Sequence, residues 1–290
     1  MVVNFSVSSR GVRTMINQHK TDRSRSFERT SHISAAPKLL TVTLLAMVLV
    51  SACTPEAVEP ELQEIRLLST GPLEDGLLPI IERYTAETGN TITLETGTTP
   101  VVRGRLESGD SFDVVIAAQA VIDAAAARGQ VDASNTPVVG RVGIGVAIRD
   151  SVEASVPGSA EELVALLLTA DTVSYNIGSS GVYAQSMIES LGITQAIASR
   201  TIRFDNGTQV IAHVKEGEGR DMGLAPLTEI QANATSGIRM LPLPDDVQNY
   251  TAYHAVVGTD AVEAAAAFVE FLLTPEAHES FRATGVVTPD

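Results

Sequence analysis

The chain has 290 residues, one cysteine, no tryptophan and a formal net charge of −15. So acidic a molecule is repelled by nucleic acid and by anionic lipid head groups, which excludes both as partners. Aromatic residues make up only 4 %, too few for stacking on bases or sugar rings, whereas a hydrophobic share of 44 % is ample for a core.

The first 52 residues differ from the rest. A basic lead (Arg10, Arg13, Lys20, Arg23, Arg25, Arg29 and Lys38 against Asp22 and Glu28) runs into an apolar stretch at 39–50, LLTVTLLAMVLV, then Ser51, Ala52 and Cys53. As a helix that stretch is about 18 Å long at roughly 1.5 Å per residue, short of a bilayer core of about 30 Å. The order basic lead, short apolar core, small residues, cysteine predicts a lipoprotein signal at 1–52, with Cys53 as the lipidated residue. An ordinary secretory signal with a coincidental cysteine, or an uncleaved anchor, is the plainer alternative. Residues 53–62 then read as a tether. The remaining 238 residues carry a net charge of −20, because the signal takes seven Lys/Arg and two Asp/Glu with it. With Cys53 lipidated, no disulfide and no cysteine metal site is available.

Beyond the tether, short β-like runs alternate with helical patterns. Strands are expected at 65–69, 91–95, 113–117, 142–148, 172–175, 201–204, 222–225, 238–243 and 251–257. Helices are expected at 73–88, 101–108, 120–128, 159–168, 182–191, 209–216, 261–273 and from Pro275 to about 283. Ser159 with Glu162 makes a capping box, and Asp260 is the expected cap of the helix at 261–273. Strands alternating with helices predict an α/β architecture with mostly parallel sheets covered on both faces.

Four strand-to-helix junctions share one chemistry: Ser69-Thr70-Gly71-Pro72, Thr96-Gly97-Thr98-Thr99-Pro100, Gly178-Ser179-Ser180-Gly181 and Asp205-Asn206-Gly207-Thr208. Each places hydroxyls or glycines at a helix N-terminus, where unpaired N–H groups and the positive end of the helix dipole face outward. That combination holds an oxyanion without cationic side chains. Any one of them alone is equally well an ordinary N-cap. No HExxH, GxSxG or P-loop pattern is present, and Gly143-x-Gly145 sits inside a strand instead of completing a dinucleotide fingerprint. His213, His254 and His278 read as face or surface residues, not catalytic ones, and no metal or cofactor is expected.

Taken in order, RGRLESGDSFDVVIA (103–117), SSGVYAQSMIESLGI (179–193), HVKEGEGRDMGLAPLTEI (213–230) and QNYTAYHAVV (248–257) resemble the periplasmic molybdate-binding proteins, type II solute-binding proteins of ABC importers. The resemblance runs from about residue 65 to 287. It implies a two-lobe periplasmic-binding-protein type II fold, each lobe a mostly parallel sheet flanked by helices, with the ligand cleft between lobes. Lobe I would be 63–142 and 249–290, lobe II 143–248. It also implies a small oxyanion of the molybdate or tungstate kind held by Ser69, Thr70, Thr98, Thr99, Ser179, Ser180 and Gly207. The partner would be a membrane ABC permease, the state monomeric, the location the periplasm or cell envelope, and the protein no enzyme. The sequence departs from the family at Pro226, where a binding tyrosine would fall; Tyr250 or Asn249 is the candidate replacement donor. Two other readings stand beside this one: a ligand-sensing module outside transport, and a serine hydrolase using Ser180.

Overall fold

The computed structural model describes residues 61–289. The expected signal, Cys53 and nearly all of the tether lie outside the described residues. The first part of the fold runs β1 (Glu64–Thr70), α1 (Glu74–Thr88), β2 (Thr91–Gly97), α2 (Thr99–Glu107), β3 (Val114–Ala118), α3 (Gln119–Ala126) and the two-residue β4 (Val131–Asp132). The long β5 (Val138–Arg149) follows. Next come α4 (Ala160–Leu168), β6 (Thr172–Asn176), α5 (Ser179–Ser190), α6 (Thr194–Ile197), β7 (Thr201–Phe204), α7 (Gly207–Glu216), β8 (Asp221–Pro226), α8 (Leu227–Ala232) and β9 (Ile238–Pro242). The chain finishes with β10 (Tyr250–Gly258), α9 (Ala264–Phe271) and α10 (Pro275–Ala283). Among the described residues no helix is long and apolar enough to cross a membrane.

The strand order is β2-β1-β3-β10-β5-β8-β6-β7, with β4 added to β10 and β9 to β5. β1 lies parallel to β2 and β3, and β6 parallel to β7 and β8. β10 and β5 run antiparallel to their neighbours. β5 serves two sheets: its first half pairs with β10, and from Ile144 onward it pairs with β8 and β9. At that handover the Gln248 side chain acts as a strand residue would. Its Oε1 accepts from the Ile144 N–H at 3.1 Å, and its Nε2 donates to the Ile144 carbonyl at 3.0 Å. The inner strands are almost continuously apolar and buried (VVIAA in β3, DMGLAP in β8), as strands covered on both faces must be.

Each sheet carries a hydrophobic layer on both faces. Leu77, Ile80 and Tyr84 of α1 meet Phe268 of α9 and Phe281 of α10 on one face of the first sheet, while Val102, Leu106, Val121 and Ile122 pack on the other. Leu163, Leu167, Ala184, Met187 and Ile188 cover one face of the second sheet; Val210, Ile211, Val214 and Ile230 cover its reverse.

Helix starts follow the local sequence in most places. Ser159 accepts from the Glu162 N–H at 3.3 Å, and the Glu162 carboxylate returns to the Gly158 N–H at 2.7 Å, one residue outside the usual box. Thr274 caps α10 through the Ala277 N–H. The expected cap at Asp260 is corrected: α9 begins only at Ala264, and Asp260 is exposed in the preceding turn. The N–H groups there are taken by side chains from far along the chain. Val262 donates to Asp113 Oδ1 at 3.0 Å and Ala264 to Gln63 Oε1 at 2.7 Å. A start satisfied from outside needs no cap of its own.

Candidate ligand-binding site

The carboxyl ends of β1, β2, β6, β7 and β8 face one another, and the helices that follow them start around a single pocket. Its walls are Thr70, Pro72, Thr98, Thr99, Asn176, Gly178, Ser179, Ser180, Gly207, Pro226, Glu229 and Tyr253, around a cavity of about 20 Å³. One water needs at least about 10–15 Å³, so the cavity as it stands has room for little more than one water, and any larger ligand must part its walls. The walls come from both sheets. Closure is tight enough that a Cβ placed on Gly178, before α5, would lie 3.7 Å from Cβ of Thr98, before α2.

Six of the seven residues expected from the junctions meet here: Thr70, Thr98, Thr99, Ser179, Ser180 and Gly207. Ser69 does not. It is fully buried below the pocket, and its hydroxyl donates to the Thr70 carbonyl at 3.3 Å. Strand alternation turns Ser69 and Thr70 to opposite faces, so only one of the pair reaches the cleft.

The hydroxyls separate capping from ligand work. Thr70 and Thr98 occupy the N-cap positions of a short 3-10 turn and of α2, yet neither side chain caps its helix. Thr70 Oγ1 and Thr98 Oγ1 are both buried without a hydrogen-bond partner. Buried polar atoms are nearly always paired, so these two hydroxyls on one cavity are free to bond a ligand or a water there. Asn206, in contrast, is an ordinary cap and accepts from the Gln209 N–H at 2.9 Å. Backbone donors add to the set. The first-turn N–H groups of α5 (Ser179, Ser180) and of α7 (Gly207, Thr208) have no partner within their helices.

Asn176 builds the α5 corner. Its Oδ1 accepts from the Gly178 N–H at 2.7 Å, and its Nδ2 donates to Ser180 Oγ at 3.1 Å. Gly181 is required beneath, because a Cβ there would overlap the Asn176 carbonyl.

Besides Asn176, two wall residues were not expected. Tyr253, from β10, is 2 % exposed and its hydroxyl stands 3.4 Å from Ser179 Oγ. Burial pushes its phenol up to about 12; the Ser179 hydroxyl pulls the other way, and the Glu229 charge adds to the rise. It brings a phenolic donor into the pocket from a strand other than the one carrying Pro226. The expected replacements do not: Tyr250 is 46 % exposed, and neither it nor Asn249 lines the cavity. Glu229, from α8, is the second. Its carboxylate presses against Gly207 at the start of α7, closely enough that a Cβ on that glycine would overlap it. Oε2 is buried without a partner. Burial raises its pKa to about 7, with Asp75 and Glu74 adding to the rise.

The histidines lie elsewhere. His213 Nε2 is 2.9 Å from Thr172 Oγ1, and His254 Nδ1 is 2.9 Å from the Thr136 carbonyl. His278, expected to be exposed, is half-buried, and burial with the nearby Arg282 lowers its pKa. A larger hollow of about 190 Å³ lies between loops at Arg66, Phe112 and Asp260. There Asp113 accepts from two backbone N–H groups, and the Arg66 guanidinium sits over the Phe112 ring. Among the described residues no group of side chains is arranged to hold a metal ion.

A two-sheet α/β body that closes on a small pocket at its strand ends defines a binding protein. The family of bacterial extracellular solute-binding proteins matches residues 65–287, and the chain belongs to that family. Similar solved structures include the periplasmic molybdate-binding protein of Azotobacter vinelandii (TM-score 0.65, 15 % identity, 78 % of this chain and 100 % of that one). The sulfate-binding protein SubI of Mycobacterium tuberculosis H37Rv gives a TM-score of 0.63 at 15 % identity, over 79 % of this chain and 88 % of that one. The substrate-binding protein of an ABC transporter from Agrobacterium tumefaciens gives 0.65 at 13 %, over 79 % and 80 %. At these identities the likeness is one of fold. No curated protein matches the chain.

Proposed function

We propose that this protein is the lipid-anchored solute receptor of an ABC importer and captures a small oxyanion outside the cytoplasm. The observation that carries the reading is the donor set: Thr70 and Thr98 hydroxyls buried without partners, on a cavity ringed by helix N-termini from both sheets. Among the described residues no cationic side chain lines that cavity, so hydroxyls, peptide N–H groups and helix dipoles would carry the recognition. The ligand-binding residues in this reading are Thr70, Thr98, Thr99, Ser179, Ser180 and Gly207, joined by Tyr253. Lobe I is taken as 63–142 and 249–290 and lobe II as 143–248, with closure between them burying the ligand. Cys53 carries the lipid, the protein is a monomer, and the partner is a membrane permease. The net charge of −20 on the mature chain slows encounter with an anion but acts weakly at the pocket, because the Debye length is about 8 Å at physiological salt.

A thermal-shift titration of the purified full chain with molybdate, tungstate, sulfate, phosphate and chromate tests this. Anion at ~100-fold its dissociation constant stabilises the fold by about 2.7 kcal/mol, a clear rise in Tm. No shift with any of the five would sink the oxyanion reading.

A further inference from the structure

We infer that Glu229 makes this pocket selective for an oxyanion that carries a proton, of the hydrogen phosphate class, over equally charged oxyanions that carry none. The inference rests on the oxyanion reading above and narrows it.

The geometry sets the problem. Peptide N–H groups can only donate, and those at the starts of α5 and α7 need an acceptor atom on the ligand. Glu229 Oε2 shares the same cavity, is buried and has no donor of its own. An ionised carboxylate only accepts. A ligand that satisfies the pocket therefore presents oxygens to the donor side and one O–H to Glu229. Hydrogen phosphate and hydrogen arsenate meet both demands. Sulfate and molybdate, tetrahedral dianions without a proton, would leave two acceptors facing one another in a dry site.

A proton on Glu229 itself relieves that conflict, because the carboxyl then donates; above about pH 7 that relief fades. The acidic neighbours Glu74 and Asp75, at the start of α1, raise the cost of a second negative group, and Tyr253 is the remaining titratable side chain that acts on Glu229. Sites built around a substrate hydroxyl reject analogues that lack it by as much as 10⁴–10⁵-fold, because the buried partner is left unpaired.

The test is calorimetric titration of the purified full chain with inorganic phosphate, arsenate, sulfate and molybdate above the Glu229 titration, at about pH 8.5. The expected result is phosphate and arsenate binding at least about 100-fold tighter than sulfate and molybdate. Glu229→Gln, of nearly the same shape and able to donate as well as accept, should bring the four anions to within about tenfold of one another. Sulfate or molybdate binding the native protein as tightly as phosphate would overturn the proton selection and leave the oxyanion reading standing. A preference that survives in Glu229→Gln would remove Glu229 from its cause. Binding of none of the four would overturn the oxyanion reading itself. The comparison among anions on the native protein needs no variant, so a poorly folding Glu229→Gln leaves it decisive.

Discussion

The Tyr253 hydroxyl lies 3.4 Å from the Ser179 hydroxyl, one side chain from β10 of the first sheet and the other from α5, the helix that follows β6 of the second. Tyr253 stands beside Ala118 at the carboxyl end of β3, and Ser179 is the first residue of α5. The pair closes the pocket from both sides and places a phenolic donor among the orphan threonines.

Tyr253→Phe should leave the fold intact and weaken anion binding by about 10- to 100-fold, since a hydrogen bond to a charged partner contributes about 1.5–3 kcal/mol. Calorimetry on the native and variant chains reads it directly. Affinity unchanged within a factor of two would take the phenol out of the site.

Thr70→Val and Thr98→Val should move stability and binding in opposite directions. Their hydroxyls are buried and unpaired, so removing them relieves a desolvation cost and raises unfolding free energy by up to about 1 kcal/mol. Anion affinity falls by about tenfold or more. Were Thr98 instead capping α2, Thr98→Val would cost roughly 1 kcal/mol of stability, which urea unfolding would show.

Gly181→Ala should damage the site through packing alone. The added Cβ meets the Asn176 carbonyl, and overpacking of this kind costs typically 1–3 kcal/mol. Because Asn176 holds both Gly178 and Ser180, binding should fall further than the stability loss accounts for. Normal affinity in Gly181→Ala would contradict the role of that corner.

Two carboxylates predict stability against pH with opposite signs. Glu229 has a folded pKa of about 7, above its ordinary 4.5, so the native state holds its proton more tightly. Its contribution is complete below about 4.5 and is lost as pH rises through 7, about 3 kcal/mol at roughly 1.4 kcal/mol per pKa unit. Glu229→Gln should remove that decline. Asp221 goes the other way. Burial would raise its pKa, but hydrogen bonds from Thr172 and Arg149, with the charges of His213 and Arg149, hold it below 3.8. Its contribution is present above 3.8 and is lost as pH falls through the lower folded value. Denaturant unfolding across pH should therefore show a maximum between the two ranges, and a native-protein profile flat from pH 4.5 to 7 would contradict the raised Glu229.

Asp221→Ala should be severe. Arg149 Nη1 lies 3.3 Å from Asp221 Oδ2, with the Arg149 and Asp221 side chains only 14 % and 7 % exposed. Removing one partner of a buried pair costs about 3–5 kcal/mol. A loss below 1 kcal/mol in thermal or urea unfolding would show that the Arg149 bonds to the Val214 and Gly219 carbonyls suffice without it.

How far the sequence carried this description depended on distance along the chain. Ser159 and Asn206 were readable as helix starts because a cap and its target N–H lie within three residues. Asp260 misled for the opposite reason, since its helix is satisfied by Asp113 and Gln63 from the far end of the domain. The hydroxyl-rich junctions stood out by composition, and the fold brought six of their seven chosen residues to one cavity. Glu229 gave no local sign. In LTEIQ it is an unremarkable acid at the start of a helix, and only the turn from β8 into α8 lays it against Gly207. Tyr250 and Tyr253 share one strand and are three residues apart, so they face opposite sides; choosing between them needed the register against β3.

β10 has a further consequence, for the order in which the protein can form. It lies between β3 and the first half of β5, yet more than 100 residues separate it from either along the chain. During synthesis the second sheet, with all of its helices, is complete before Tyr250 emerges. The first sheet must wait with β3 and β5 as bare edges, each able to pair with a strand from another molecule. The segment from Tyr250 onward thus supplies, in β10, the middle of the sheet that began the fold. A chain cut short before them would keep most of its wall residues and lack the strand that lets the halves meet.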